Sequence, residues 1–255
     1  MAARKISFTN ADGMPLSALL DLPENGAPDH YAVFAHCFTC GKDVKAAYYI
    51  GKALTRQGIA VLRFDFTGLG ESAGDFADTT FSSNVADLIA AARFLEDGFE
   101  GPRLLIGHSL GGAAVVRAAA AIPSSRAVVT IGTPAEPAHV TRHLSASLNQ
   151  IRSEGQANVE IAGKTVMIKK GFVDDVTTAR MGEALSSMDR ALMIMHAPGD
   201  DVVAIDNAVR LFTAARHPKS FVSLDTADHL LSRREDALYV GNVIAAWAAR
   251  YMDAG

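Results

Sequence analysis

Short apolar runs alternate with amphipathic stretches along most of this chain. The runs at 31–35, 59–65, 104–107, 127–132 and 191–196 are nearly continuous and short, as expected for strands buried on both faces of a sheet. Stretches with apolar residues at helical spacing follow them, and this alternation is typical of parallel strands joined by crossover helices. The pattern predicts an α/β fold with a doubly wound, mostly parallel sheet of about eight strands.

Weaker signals extend the pattern at both ends of the chain. Residues 5–10 and 16–22 flank the turn 11–15, which predicts an initial hairpin, and 221–224 predicts a last strand. Helices are predicted at about 45–57, 84–97, 113–121, 205–216 and 235–251.

The alternation breaks between residues 135 and 189. The elements predicted there are a helix at 137–153, a hairpin of 159–161 and 166–168 across Ala162-Gly163-Lys164, and a helix at 177–188. Irregular insertions in regular folds are often lids or binding loops. We therefore predict a core made of residues 1–134 and 190–255, with 135–189 as a cap.

Composition narrows the classes of function. The 255 residues carry a net charge of −4 and no basic run, which argues against a nucleic acid partner. No apolar run is long enough to cross a membrane, and the start lacks the apolar segment of a signal peptide. We therefore expect a cytoplasmic protein with no membrane partner, and the sequence leaves open whether it forms a homodimer.

One apolar strand runs directly into a Gly-rich turn and a helix. The turn, Gly107-His108-Ser109-Leu110-Gly111, fits G-x-S-x-G, in which a serine stands at the apex of a strained strand-to-helix turn. Gly107 and Gly111 let strand and helix approach closely, and the free N–H groups of the helix can stabilise negative charge. We predict Ser109 as a nucleophile, in preference to an incidental serine in a Gly-rich turn.

A serine hydroxyl needs a general base, and the base needs a carboxylate to orient it. In a doubly wound sheet such groups lie in loops beyond the carboxyl ends of strands. Of the eight histidines, only His229 follows the last core strand and precedes the final helix, so we predict it as the base; His108 is poorly placed. The turn after 191–196 supplies Asp200 and Asp201, and spacing alone does not choose between them.

Acyl transfer also needs N–H donors for the oxyanion of the transition state. Leu110, which follows the nucleophile, supplies one backbone N–H, and the loop after 31–35 suggests Phe38 for the other. Phe38 lies between Cys37 and Cys40, the chain's two cysteines. Zinc would need two further ligands, and a redox pair is an alternative, but we favour two reduced cysteines on the pocket floor.

Nearly the whole chain resembles the α/β-hydrolase fold, through the order Ser109, acid, His229 and the motif G-H-S-L-G. The loop 65–72 resembles the family's D-x-R-G-x-G-x-S, with Thr in place of Arg, and 196–200 resembles H-G-x-x-D, which selects Asp200. The His-Gly pair that precedes the oxyanion residue in this family reads His-Cys here.

A closer resemblance is to a bacterial subgroup with the motifs H-C-F-T-C-x-K-D, D-F-T-G-L-G-E-S and D-x-A-D-H-L-L, found here at 36–43, 65–72 and 225–231. Members of that subgroup are often fused to an OsmC-like domain. The resemblance implies either a stand-alone hydrolase or part of such a fusion.

The residues and the resemblance together imply a serine hydrolase that cleaves small to medium acyl esters through an acyl-enzyme, with a small-molecule acyl substrate and no metal or organic cofactor. Thioesterase, amidase or perhydrolase chemistry on the same three residues is an alternative. A non-catalytic redox or ligand-binding module is another. The apolar residues of the cap would pack it onto the core or line an acyl pocket; they are Leu144, Leu148, Ile151, Phe172, Val173, Met181, Leu185 and Met188.

Overall fold

Two sheets and their flanking helices account for most of the chain in the computed structural model, which describes residues 2–24, 26–161 and 163–253. The strands are β1 (Ala2–Thr9), β2 (Pro15–Leu22), β3 (His30–Ala35), β4 (Ile59–Phe64), β5 (Leu104–His108), β6 (Ala127–Ile131), β7 (Gln156–Ile161), β8 (Lys164–Lys169), β9 (Ala191–His196) and β10 (Lys219–Ser223). The α-helices are α1 (Lys45–Thr55), α2 (Phe81–Gly98), α3 (Leu110–Ala118), α4 (Leu148–Glu154), α5 (Lys170–Thr178), α6 (Met181–Ser187), α7 (Asp206–Ala214) and α8 (Arg234–Met252).

Eight strands form the main sheet in the order β1-β2-β4-β3-β5-β6-β9-β10. Strand β2 pairs antiparallel with β1 and with β4, and the other pairs are parallel. Strands β4, β5, β6 and β9 are buried along their whole length, which explains why their sequences are apolar rather than alternating. The predicted α/β fold with a mostly parallel sheet of about eight strands is confirmed.

Helices cover both faces of this sheet. Helices α1 and α8 pack together on one face, over the apolar side chains of β3 to β6 that point that way. Helices α2, α3 and α7 contribute to the apolar cluster on the other face. Because β3, β4, β5, β6, β9 and β10 run parallel, their carboxyl ends lie along one edge of the sheet, and binding sites of open α/β sheets form at that edge.

The segment 135–189 contributes to the second cluster with its own apolar residues. The predicted hairpin is present and longer than expected, as β7 and β8, although Ala162 of its turn lies outside the described residues. The helix predicted at 137–153 is wrong as one element: a 3-10 helix (Pro137–Leu144) and α4 replace it. Within the helix predicted at 177–188 the structure has α6 alone as a complete helix; Ala179 and Arg180 separate it from α5, which lies almost wholly before that range and was not predicted.

Among the residues that the structure describes, none of the helices is both long enough and apolar enough for a bilayer crossing.

Candidate active site

The turn between β5 and α3 places Ser109 above the edge of the sheet. Its backbone has φ 55° and ψ −123°, and its N–H donates to the Ile131 carbonyl at 2.8 Å. A Cβ added to Gly107 would lie 2.2 Å from the Gly111 carbonyl oxygen, and one added to Gly111 would lie 2.4 Å from the Ala35 oxygen. The strained apex and the need for glycine on both sides, predicted from the sequence, are therefore observed.

His229 connects Ser109 to Asp200 through its two ring nitrogens. Its Nε2 lies 3.1 Å from the Ser109 Oγ, and its Nδ1 lies 2.8 Å from the Asp200 Oδ2. The tautomer with a proton on Nδ1 donates to Asp200 and leaves Nε2 to accept from the serine hydroxyl. The structure thus brings together three residues that the sequence places 120 and 29 positions apart.

The surroundings of Asp200 favour its ionised form. Burial disfavours the charge, but hydrogen bonds from His229 and from the N–H groups of Val203 and Val202 outweigh it and hold the pKa of Asp200 below its ordinary value. Asp201, the alternative that spacing left open, is exposed and is not hydrogen-bonded to His229 within the described residues.

His108 has a role that the sequence did not reveal. Its Nε2 lies 2.7 Å from the backbone carbonyl of His229, to which it donates, so it braces the loop of the predicted base from below. Burial, and then the neighbouring His229, lower the pKa of His108 to about 4, so its ring is neutral near pH 7. The place of His108 directly before Ser109 in the sequence gave no sign of this contact, because its partner, the His229 carbonyl, is 121 residues away.

Phe38 and Leu110 both line one small cavity, whose wall also includes Gly111 of the Ser109 turn. Within the described residues, neither backbone N–H donates to a protein acceptor. Thr39, which follows Phe38, has φ 60°. The Phe38 ring stacks on Phe172 of α5, with centroids 5.1 Å apart, so a residue of segment 135–189 contacts the loop that carries the predicted donor.

Cys37 and Cys40 form a disulfide, with their Cα atoms 5.4 Å apart. The expectation of two reduced cysteines is therefore wrong for this structure. The bond closes a tight loop around Phe38 and Thr39, and the Cys40 N–H also donates to the Cys37 carbonyl. Across the described part of the chain, no three His, Cys, Asp or Glu side chains are grouped as a metal site would require.

A buried ionic network lies under the same loop. The Lys42 ammonium contacts Asp65 at 2.6 Å and Glu71 at 2.9 Å, and the side chains of Lys42 and Asp65 are 2% and 1% exposed. Burial opposes the charge on Lys42, but these carboxylates raise its pKa above the ordinary value, and Lys42 lowers the pKa of Glu71 to about 2. Arg63 pairs with Asp21 and also donates to the Lys42 carbonyl, which links the loop to β4 and β2.

Known proteins support the assignment of the fold and of a broad activity. Residues 32–255 match the profile described as "Alpha/beta hydrolase family". A solved structure of the esterase domain of a Rhodothermus marinus protein is 48% identical, with a TM-score of 0.81, and the alignment covers 99% of this chain and all of that one. Alpha/beta hydrolase domain-containing protein 10 from mouse has the same fold at 19% identity, with a TM-score of 0.79 over 98% of this chain and 99% of that one.

A curated relative is the mitochondrial palmitoyl-protein thioesterase ABHD10 of Homo sapiens. It is 26% identical over 184 residues, which are 71% of this chain and 55% of that protein. The matched segments span between 33% and 55% of the length of the curated thioesterases of this kind.

Proposed function

This chain belongs to the alpha/beta hydrolase family, and we propose that it is a serine hydrolase that cleaves carboxylic esters of small to medium acyl groups through an acyl-enzyme. The observation that carries the proposal is the chain of hydrogen bonds from Ser109 through His229 to Asp200. A nucleophile, a base within reach of it and an acid that orients the base are the three parts of this chemistry.

In the proposed acylation step, the Ser109 Oγ attacks the ester carbonyl while His229 Nε2 takes the hydroxyl proton. Asp200 keeps the imidazole in the required tautomer and stabilises its charged form. The carbonyl oxygen, now negative, accepts from the backbone N–H groups of Phe38 and Leu110, which have no protein acceptor of their own within the described residues. The C–O bond then breaks, and His229 gives its proton to the departing alkoxide.

Deacylation repeats the sequence with water. His229 removes a proton from a water molecule as the water attacks the acyl carbonyl, and the proton then passes to the Ser109 oxygen as the acid leaves. Each proton that His229 accepts leaves it again within the same half-reaction, first to the departing alkoxide and then to the Ser109 oxygen. The steps use groups of this chain, the substrate and one water molecule.

Segment 135–189 acts in this proposal as a cap over the acyl site. It is attached to the loop after β3 by the stacking of Phe172 on Phe38, to α2 by hydrogen bonds from Ser82 to Asp175, and to the loop after β9 by that between His139 and the Val202 carbonyl (3.0 Å). Its apolar side chains join the same cluster as the core. The motifs at 36–43, 65–72 and 225–231 also support placement in the bacterial subgroup described above.

A second candidate is thioester hydrolysis on the same residues. It is favoured by the match to the curated palmitoyl-protein thioesterases. The attack and the oxyanion are the same for oxygen and sulfur esters, but a thiolate leaves without needing protonation, so loss of the acid function of His229 would matter less.

Hydrolysis of a p-nitrophenyl ester series from acetate to palmitate, and of matched acyl thioesters, tests the proposal with wild type and Ser109→Ala. We expect turnover by the wild type and a fall in kcat of at least about 10⁴-fold in the variant. Fluorophosphonate labelling of wild type, with none of Ser109→Ala, is expected alongside. Full activity in the variant, or a folded wild type that is neither labelled nor active, would refute the mechanism and favour a non-catalytic binding module.

A further inference from the structure

A small cavity lies between the loop after β3 and the first turn of α2. It offers about 10 Å³ to the centre of a water molecule, which is room for about one water. Its wall includes His36 and Asn84 among mostly apolar and aromatic side chains. The described residues of the wall include no Lys, Arg, Asp or Glu, so a cation held there would be buried without a counter-charge. We call this space the His36–Asn84 cavity.

Two polar atoms of this wall are buried without a partner. His36 is 1% exposed and Asn84 is 7% exposed, and neither His36 Nε2 nor Asn84 Oδ1 has a hydrogen bond within the described part of the chain. Buried polar groups are nearly always paired, because an unpaired one loses its bonds to water without replacement. Two such atoms on residues of one cavity wall therefore indicate a ligand that bonds to both.

The other ring nitrogen of His36 shows what this ligand must supply. His36 Nδ1 lies 2.9 Å from the Cys37 carbonyl oxygen, which can only accept, so Nδ1 carries the proton. Burial lowers the pKa of His36 below its ordinary value, so the ring is neutral near pH 7 and Nε2 keeps its lone pair. Nε2 and the Asn84 Oδ1 are therefore both acceptors. A molecule that fits this space and donates two hydrogen bonds is water.

The same imidazole bonds to the peptide group of a proposed oxyanion donor. The Cys37 carbonyl and the Phe38 N–H belong to one trans, planar peptide group, so they point in opposite directions. The carbonyl accepts from His36 Nδ1 and from the Cys40 N–H, at 2.9 and 3.1 Å. Holding the carbonyl therefore fixes the direction of the Phe38 N–H, and a hydrogen bond to the carbonyl also polarises that N–H.

Asn84 is a rigid anchor at the other side of the cavity. It lies in the first turn of α2, where Thr80 and Ser83 form a capping box that fixes the start of the helix. Its backbone N–H donates to the Thr80 carbonyl, so the side chain is presented from regular helix. It occupies the core-facing stripe with Phe81 and Leu88, where an apolar residue would be expected. A water partner in the cavity accounts for an amide in that place.

We propose that one water molecule, donating to His36 Nε2 and to Asn84 Oδ1, is a fixed part of the oxyanion site, and that Asn84 acts through it as a positioning residue for the Phe38 N–H. This inference rests on the proposed function. The water joins the loop after β3 to α2 and holds the imidazole in the orientation in which Nδ1 meets the Cys37 carbonyl. The effect of Asn84 reaches the reaction through the water, His36 and the Cys37–Phe38 peptide group.

A crystal structure of the wild type, at a resolution that shows ordered water, tests the first half of the proposal. We expect one water within about 3.2 Å of both His36 Nε2 and Asn84 Oδ1. Asn84→Leu, which has a side chain of similar size without an acceptor, should lack this water. A wild-type cavity without a water that bonds to both atoms overturns the inference, whether or not any variant folds.

Ester hydrolysis tests the positioning role. We expect Asn84→Leu to lower kcat by about 10-fold and to change KM by less than about 2-fold, because the Phe38 N–H bonds to the carbonyl oxygen chiefly in the transition state. The rate is expressed per active site, counted by fluorophosphonate titration to completion. A residue that only supports the fold would change the fraction of active protein and leave kcat per active site as it is.

Two further variants complete the experiment. Asn84→Ser keeps an oxygen acceptor and leaves space for a second water that completes the bridge, so its kcat should stay within about 3-fold of the wild type. Asn242→Leu, on the exposed surface of α8, is the matched control and should retain the wild-type kcat and KM.

The outcomes separate the inference from the function on which it depends. An active wild type that holds the water, with kcat per active site unchanged in Asn84→Leu, overturns the positioning role and leaves the proposed function standing. A folded wild type that hydrolyses no ester or thioester overturns the proposed function and the positioning role together.

Discussion

Two strained residues lie next to the two proposed oxyanion donors. Ser109, at φ 55°, precedes Leu110, and Thr39, at φ 60°, follows Phe38. Non-glycine residues in such conformations cost about 1–3 kcal/mol each and persist only where the surroundings impose them. The helix and its flanking glycines impose the conformation on Ser109, and the Cys37–Cys40 bond closes the loop around Thr39.

Reduction of the disulfide is therefore expected to weaken catalysis. Without the bond, Thr39 can relax and the Phe38 N–H loses its fixed direction; we expect kcat to fall by about 10-fold, short of the roughly 100-fold seen when an oxyanion donor is removed. Stability should fall by about 2 kcal/mol, as estimated for so short a closed loop. The measurement is ester hydrolysis and urea unfolding with and without a thiol reductant, with the thiol state checked by mass spectrometry.

The control is the double variant Cys37→Ser with Cys40→Ser. Its kcat and stability should equal those of the reduced wild type and should not change when reductant is added. Activity that is unchanged, or higher, after complete reduction would contradict the prediction. A redox pair, the alternative suggested by the C-x-x-C spacing, predicts the opposite: activity that falls on oxidation.

The sequence predicts a site residue when a motif or a neighbouring predicted strand marks its position. It does not predict a residue whose role comes from a contact with a part of the chain distant in sequence. Ser109 stands in a motif whose strand and helix are visible in the apolar pattern, and His229 and Asp200 follow strands that the same pattern predicts. His108 binds a carbonyl 121 residues away, and nothing local marks that contact.

At the scale of elements, the loop between β3 and α1 is joined to the neighbouring strands by buried charges. Lys42 holds Asp65, while Arg63 of β4 binds both Asp21 of β2 and the Lys42 carbonyl. Asp65 also accepts from the Lys42 and Glu71 N–H groups. A buried pair of this kind gives little net stability relative to apolar residues, but loss of one partner is costly.

Lys42→Met is accordingly expected to destabilise the protein by about 3 kcal/mol or more, because Asp65 is left buried without its cation. Urea unfolding measures this. The matched control is Lys5→Met, since Lys5 is an exposed partner of Glu71 at 3.5 Å and should contribute less than about 1 kcal/mol. An equal loss in the free energy of unfolding for both substitutions would show that burial of the Lys42–Asp65 pair does not make its loss more costly.

Elements with strong periodicity were predicted to within a few residues, whereas those of segment 135–189 were not. The apolar residues at 137–153 and 177–188 have helical spacing, but the helices there are short and depend on packing against the core. Arg180 adopts an extended backbone, which separates α5 from α6, and the 3-10 helix begins at Pro137. Local spacing cannot locate such breaks, since tertiary contacts decide them.

At the scale of the whole molecule, stability should depend on pH through His108. Its pKa is about 4 in the folded protein and near the ordinary 6.5 when unfolded. Between these values the unfolded chain binds the proton and the folded one does not, so stability is full above pH 6.5 and falls as the pH drops towards 4. The full difference amounts to about 3 kcal/mol.

The measurement is urea unfolding at pH 7.0 and pH 4.5 for wild type and His108→Gln. Carboxylates that titrate in this range affect both proteins equally, so the variant should show a smaller loss than the wild type. Parallel losses would mean that His108 titrates alike in the folded and unfolded states. Burial also lowers the pKa of His36, so this residue adds to the loss of stability at low pH, but it does so in wild type and variant alike.

The order of strands across the sheet also has a consequence for the newly made chain. Ser109 leaves β5, but Asp200 follows β9 and His229 follows β10, which is the last strand and pairs at the edge of the sheet. Contacts so distant in sequence form late, because a long loop must close before any of them is gained. A chain still emerging from the ribosome, or one stalled half-folded, therefore holds a serine with no base beside it. Under the proposed mechanism such a chain cannot hydrolyse an ester, and Ser109 becomes reactive only after β9, β10 and the loops that follow them have been made and have folded.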